Sequence, residues 1–298
     1  MDILYSVSIV LLTLIASSSH AGICVGIPVG TGLLNKRRAI VVYVVAALLG
    51  ATIQGNFMLK AVVAPSTCAV LTSASISVVP SILGIPLSIN FALYTSQIGC
   101  TLTRPGNESL IPTLLSVIAL WIATTITIAI ATYAVEKLVI REIISRYRSP
   151  RKLLTLMRIV VTSLGALMSF VVGANTFGYL LMFTRGEPHL WLLLYAVFII
   201  GAGIFSTRSI ERVAYQFYRI RLSQAISSLL VSIVSIELAT WRALPLSASL
   251  VISTALYAAG YASTFRVLST KNFLSYVTTQ FLSIPIALAL GAVISLVT

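Results

Sequence analysis

Two stretches of this chain set hydroxyl and amide side chains inside otherwise apolar runs, 84-GIPLSIN-90 and 243-ALPLSAS-249. Each carries Pro-Leu-Ser, at Pro86-Leu87-Ser88 and at Pro245-Leu246-Ser247, and each adds a second small polar residue, Asn90 or Ser249. Proline suits the first turn of a helix, where its missing N–H would have been unpaired anyway. Pro86 and Pro245 are therefore expected at helix starts. The unpaired N–H groups there form the positive end of the helix dipole. With Ser88, Asn90, Ser247 and Ser249 beside them, such starts suit a negatively charged solute. The plainer use of Ser88 and Ser247 is to cap their own helices.

Two further polar pairs stand beside glycine-rich runs. Ser19-His20 precedes 22-GICVGIPVGTG-32, and Asn175-Thr176 lies within 173-GANTFGYL-180. The glycines are expected to weaken the helix at both places. A histidine can carry a proton at ordinary pH, so proton coupling through His20 is one expectation. Ser19 and Thr176 offer neutral oxygen ligands to a coupling ion, and Asn175 stabilises the break or contacts solute. Glu237 is the most deeply embedded carboxylate. Pairing with Arg242 near a helix end is expected for it, and a coupling role is the alternative.

Other chemistry finds no support. The chain has no HExxH, GxSxG or P-loop pattern, so no enzyme activity, metal or cofactor is expected. Cys24, Cys68 and Cys100 are isolated and odd in number, which reads as small apolar filling rather than a disulfide framework.

The elements that must position these groups cross a membrane. Of 298 residues, 58% are hydrophobic and 9% charged, with mean hydropathy +1.03. Soluble domains carry about 25% charged residues. Apolar runs of spanning length cover 3–25, 39–59, 110–135, 153–172, 190–205, 222–241 and 271–298. The first lacks a basic flank and reads as a membrane helix more readily than as a cleaved leader. Net charge is +13, and Lys and Arg cluster at 36–38, 137–158 and 208–221. That is the pattern of cytoplasmic loops beside anionic lipid, not of nucleic-acid binding. Trp121, Trp191 and Trp241 are expected at the membrane interfaces.

The chain also repeats itself. Pro245 follows Pro86 by 159 positions, and Thr176 follows His20 by 156. Two landmarks thus give nearly one repeat length, with the charged stretch 136–152 as linker. Matched interruptions in two halves point to a transporter's binding site near the bilayer midplane.

These residues resemble the inorganic phosphate transporter (PiT) family. Members carry a G-x-N-D-x-A-N-A-x-G signature and a G-x-P-V-S-T-T-H segment in each half. The run 25-VGIPVGTGLLNKRRA-39 is similar to the sequence after the first signature, and 47-ALLGATIQG-55 to the helix that follows. The run 173-GANTFGYL-180 is similar to the start of the second signature, and the two Pro-Leu-Ser segments to the Ser-Thr-Thr segments. Ser19 and His20 stand at the first Asn-Asp pair, Asn175 and Thr176 at the second. The resemblance implies that these positions bind phosphate and the coupling cation.

The expected fold is an all-α polytopic membrane protein of about 10–12 membrane segments. It has two repeats, 1–145 and 150–298, with broken helices and, by the resemblance, inverted topology. The expected function is a multi-pass, cell-membrane permease for inorganic phosphate, coupled to H⁺ or Na⁺ and working by alternating access. Transport of another oxyanion such as sulfate, or a transport-inactive partner subunit, are the alternatives. The lipid bilayer is a partner, nucleic acid is not, and a homodimer is left open. Substrate contacts are assigned to Ser88, Asn90, Ser247, Ser249, Asn175 and Thr176, and coupling-ion contacts to His20 and Ser19.

Overall fold

The computed structural model describes residues 3–61, 66–82, 87–103, 110–140, 142–143, 149–184, 186–215, 220–262 and 270–297. These residues form helices and turns with no strand among them. In order they are α1 (Ile3–Gly30), α2 (Lys36–Gln54) with a 3-10 turn (Gly55–Ala61), α3 (Thr67–Ile82) and α4 (Ile89–Leu102). Next come α5 (Leu110–Ala134) with a π turn (Val135–Ile140), α6 (Pro150–Val172), a π turn (Gly173–Phe177) and α7 (Gly178–Met182). The chain closes with α8 (Pro188–Tyr215), α9 (Leu222–Trp241), α10 (Ala248–Ala262) and α11 (Thr270–Val297).

Among the described residues seven helices are long and apolar enough to cross a membrane, and two shorter apolar helices accompany them. The protein is an all-α polytopic membrane protein. Among the described residues the seven long spans with the short α3, α4 and α10 make ten segments, the lower bound of the expected 10–12, and the two glycine runs do not divide their helices. α1 runs unbroken to Gly30 with Pro28 inside it. At 173–177 the helix widens into a π turn and continues.

The glycines serve contact instead. A methyl group at Gly22 would come within 2.3 Å of the Ser209 carbonyl oxygen, and one at Gly30 within 2.8 Å of that of Ala214. Ser17 lies against Gly201. Residue numbers rise together along both helices, so α1 and α8 run parallel. α2 meets α6 in the same close manner, with Gly50 against Phe170 and Gly173 against Ala47. In lipid, where apolar faces gain little by meeting, such backbone approach is a main source of helix association.

Directions around the bundle follow from the contacts. Lys36, at the start of α2, pairs with Glu211 near the end of α8. Ser227, near the start of α9, donates to buried Glu136 after α5 at 3.0 Å. Arg212 acts electrostatically on Tyr276, near the start of α11. The described residues of the basic clusters therefore gather at one end. α11 runs away from that end, and its Gly291 carbonyl oxygen lies 3.3 Å from Cys68 Sγ. There Cys68 and Cys100 form a disulfide across 32 residues, and Cys24 alone is a free, buried cysteine. The expectation of three filler cysteines is corrected for two of them, because antiparallel α3 and α4 bring Cys68 and Cys100 together. Trp121 is corrected too: it is 1% exposed and stacks on Phe91 with ring centroids 3.8 Å apart.

Gly50→Val should separate α2 from α6, since even a Cβ there would sit 1.9 Å from the Phe170 carbonyl oxygen. We expect a loss of about 1–3 kcal/mol, read as a lower Tm in detergent. Gly203→Ala, with nothing within 4 Å, should leave Tm unchanged.

Candidate functional site

α4 and α10 have 14 and 15 residues, about 21–22 Å at 1.5 Å per residue. Neither spans a hydrocarbon core of about 30 Å. Both begin inside the protein. Ser88 precedes α4 in an extended conformation and its hydroxyl accepts from the Phe91 N–H at 3.1 Å. Ser247 does the same for the Leu250 N–H at 3.2 Å. Each serine thus satisfies one orphan donor of its helix start. Pro245 sits two residues ahead of this cap, so it leads the chain into the helix and is not its first turn. Pro86 lies outside the described residues.

The two starts meet at Asn90. Its side-chain amide donates to the Leu246 carbonyl at 2.7 Å, to Asn175 Oδ1 at 2.9 Å and to Thr176 Oγ1 at 3.2 Å. Leu246 immediately precedes the cap of α10, so one amide joins both half-length helices to the π turn. Asn175 in turn donates to Thr240 Oγ1 at 3.0 Å and to the Leu244 carbonyl at 3.1 Å. These carbonyl acceptors fix which way both amides point. Asn90 Oδ1 is then left buried with no donor.

Local structure supplies these acceptors at some cost. α9 ends with the Leu244 N–H bonded back to the Ala239 carbonyl at 2.8 Å, a closure that needs a left-handed residue just after the helix. Ala243 fills that position with φ 53°, where glycine is usual, at a cost on the order of 1 kcal/mol. The strained turn aims the Leu244 and Leu246 carbonyls at Asn175 and Asn90. The π turn at 173–177 carries Asn175 and Thr176 to meet them, a common use of such turns.

The remaining assigned residues lie around this junction. Ser247 also donates to Gln280 Oε1 on α11 at 3.2 Å. Ser249 shares a hydrogen bond with Tyr276 of α11. His20 is buried, and its Nδ1–H donates to the Ala16 carbonyl at 2.8 Å. Its ring and Thr176 line one small cavity together with Tyr43, Phe177 and Phe198. Ser19 lies elsewhere: its carbonyl accepts from Ser209 on α8 at 2.6 Å and its hydroxyl is half-buried. Six of the assigned residues are thus at or beside the junction, His20 is across a shared cavity, and Ser19 is turned toward α8.

Several partners went unread in the sequence. Thr240 and Gln280 sit in ordinary apolar helices, and Met58, whose sulfur accepts from Asn175 at 3.6 Å, in the 3-10 turn, all with no flanking signal. Gln97 pairs with Tyr179 inside the bundle. Glu237 is paired with Gln54 Nε2 at 2.9 Å and not with Arg242, which is exposed.

Asn175→Ala removes the acceptor for Asn90 and two donors at once. A buried group left unpaired costs about 1–3 kcal/mol, so Tm should fall clearly. Asn175→Asp keeps the acceptor but sets a buried carboxylate against the Leu244 carbonyl, so its Tm should fall too; equal Tm values for all three proteins would contradict the network.

The comparisons with known proteins bear on the same residues. The phosphate transporter family matches residues 19–291, a span that takes in every site residue above. No curated protein matches the chain in sequence. A solved structure described as "The sodium-dependent phosphate transporter" superposes with a TM-score of 0.79 at 14% identity, covering 99% of this chain and 98% of its own. At that identity the likeness is one of fold. By the extent of the family match, this chain belongs to the phosphate transporter family, whose members are transporters and not enzymes.

Proposed function

We propose that this protein carries inorganic phosphate across the cell membrane as a secondary transporter coupled to H⁺ or Na⁺. The observation that carries the reading is the meeting of two half-length helix starts at Asn90, Asn175 and Leu246. In lipid, helices begin at depth only where protein or a water-filled cavity covers the freed backbone groups. First-turn N–H groups and the Asn90 amide bring donors to that point, which suits an anion. An arriving anion takes over donors that now rest on the Leu246 carbonyl and on Asn175.

Asn90 Oδ1 favours phosphate over sulfate. It is a buried acceptor without a donor. Phosphate near neutral pH retains at least one P–OH, which donates; sulfate has no such hydrogen. A site that leaves a buried acceptor unpaired discriminates against the ligand that fails to fill it.

The movement fits two repeats, 1–145 and 150–298, of opposite direction. α1 runs parallel to α8, and each is joined by a five-residue turn to its neighbour, α2 or α7. Short turns of this kind return the chain antiparallel, so α1 and α6 run in opposite directions. The contacts also exchange between halves: α4 packs on α11 as α10 packs on α5, and α1 on α8 as α6 on α2. Rocking of one such repeat against the other exposes a central site to either side in turn. The basic clusters face the cytoplasm by the positive-inside bias, which leaves the disulfide outside, where disulfides persist.

Purified protein in liposomes should take up labelled phosphate against buffer controls, faster under an inward proton or sodium gradient. Excess sulfate should compete weakly and excess phosphate fully. Absence of uptake under every gradient would favour the transport-inactive subunit; strong competition by sulfate would remove the assigned role of Asn90 Oδ1.

A further inference from the structure

A second polar pair lies one helical turn from the junction. Gln54, at the end of α2, donates its Nε2–H to Glu237 Oε1 on α9 at 2.9 Å. The same two elements meet again nearer the centre, where Asn175 donates both to Met58 and to Thr240. The pair at 54 and 237 therefore shares its frame with the site. Two of its oxygens, Gln54 Oε1 and Glu237 Oε2, are buried and have no donor. An ionised carboxylate with an unpaired buried oxygen is costly away from water. The pair lacks one donor.

The charged and titratable groups around α9 do not supply it. On α9 itself, Arg221 caps the far end and Arg242 is exposed. α6 offers Arg151, Lys152 and Arg158 in its first turns, at the basic end. α5 and its π turn offer Tyr133, Glu136 and Lys137, and Glu136 is held by Ser227, ten residues back along α9. α10 carries Tyr257 and Tyr261, and Tyr261 lies against Tyr133 at the basic end. Lys60 at the end of the 3-10 turn is exposed, and the π turn 173–177 has no titratable side chain.

We propose that Glu237 is a proton-binding site of the transport cycle, with Gln54 as its positioning partner. A proton on Oε2 makes that oxygen a donor, and the Gln54 carbonyl oxygen is its acceptor. The acid and the amide then form two complementary hydrogen bonds, and no buried charge remains. Release of the proton leaves a carboxylate one helical turn from Thr240, which Asn175 contacts, and negative charge there opposes an anion at the junction. Proton and anion thus favour each other's presence. This inference rests on the transport reading for its consequence, while proton binding itself is observable without transport.

The test pairs two measurements on the full-length protein in liposomes. Infrared difference spectra across a pH titration should show a protonated-carboxyl carbonyl band in the wild type and none assigned to that site in Glu237→Gln. The glutamine is nearly isosteric and its amide can fill both hydrogen bonds, so the variant keeps its shape. Gln54→Leu should keep the band but shift it, because the carbonyl loses its amide donor. In uptake, an inward proton gradient should accelerate labelled phosphate entry in the wild type, and the ratio of uptake with and without the gradient should fall to unity in Glu237→Gln. Identical infrared spectra for wild type and Glu237→Gln overturn the proposal whether or not phosphate moves. So does proton-driven acceleration that survives Glu237→Gln, or wild-type acceleration that answers to sodium alone.

Discussion

A backbone or side-chain polar group inside a bilayer must find its partner within the protein, and this constraint shapes the centre of the fold. Two helices start at depth, and each start frees N–H groups that a continuous helix would have used. Ser88 and Ser247 absorb one N–H each. Asn90 and Asn175 tie the starts to each other and to the π turn. The structure tolerates a left-handed alanine to present the needed carbonyls. The same groups that satisfy the interrupted backbone are those proposed to receive a solute, so under that proposal stability and binding draw on one set of groups.

The surroundings hold that centre in place by close backbone contact. Gly22, Gly26 and Gly30 let α8 approach α1, and Gly50 and Gly173 let α2 approach α6. At the far end the Cys68–Cys100 bridge joins α3 to α4, and Gly291 of α11 sits against Ser96 and Cys100. The half-length α4 is thereby fixed at its outer end by covalent and close contacts, while its inner end holds Asn90. At the opposite end, ion pairing of Lys36 with Glu211 links α2 to α8.

Much of this was legible from residues alone, because a span is a composition signal of about 20 residues. Residues 222–241 and 271–298 were placed almost to the residue. Ser88, Asn90, Asn175 and Ser247 stood out because polar groups are rare inside such runs. What failed has physical reasons. A glycine lacks a Cβ whether it breaks a helix or admits a neighbour, and the sequence at 22–32 reads the same in both cases. The disulfide depends on how α3 and α4 fold back, which spacing does not encode. Trp121 reads as an interface residue until Phe91 is known to cover it. Gln54 and Gln280 announce nothing, since their roles come from partners on other helices, at Glu237 and Ser247.

The account stands or falls on where the anion sits. The direct measurement is an experimental structure of the protein soaked with arsenate, a phosphate mimic whose arsenic is located by anomalous scattering. The account predicts one peak within hydrogen-bonding reach of Asn90 and Asn175, between the starts of α4 and α10. A peak elsewhere in the bundle, or none there at saturating arsenate, would contradict it.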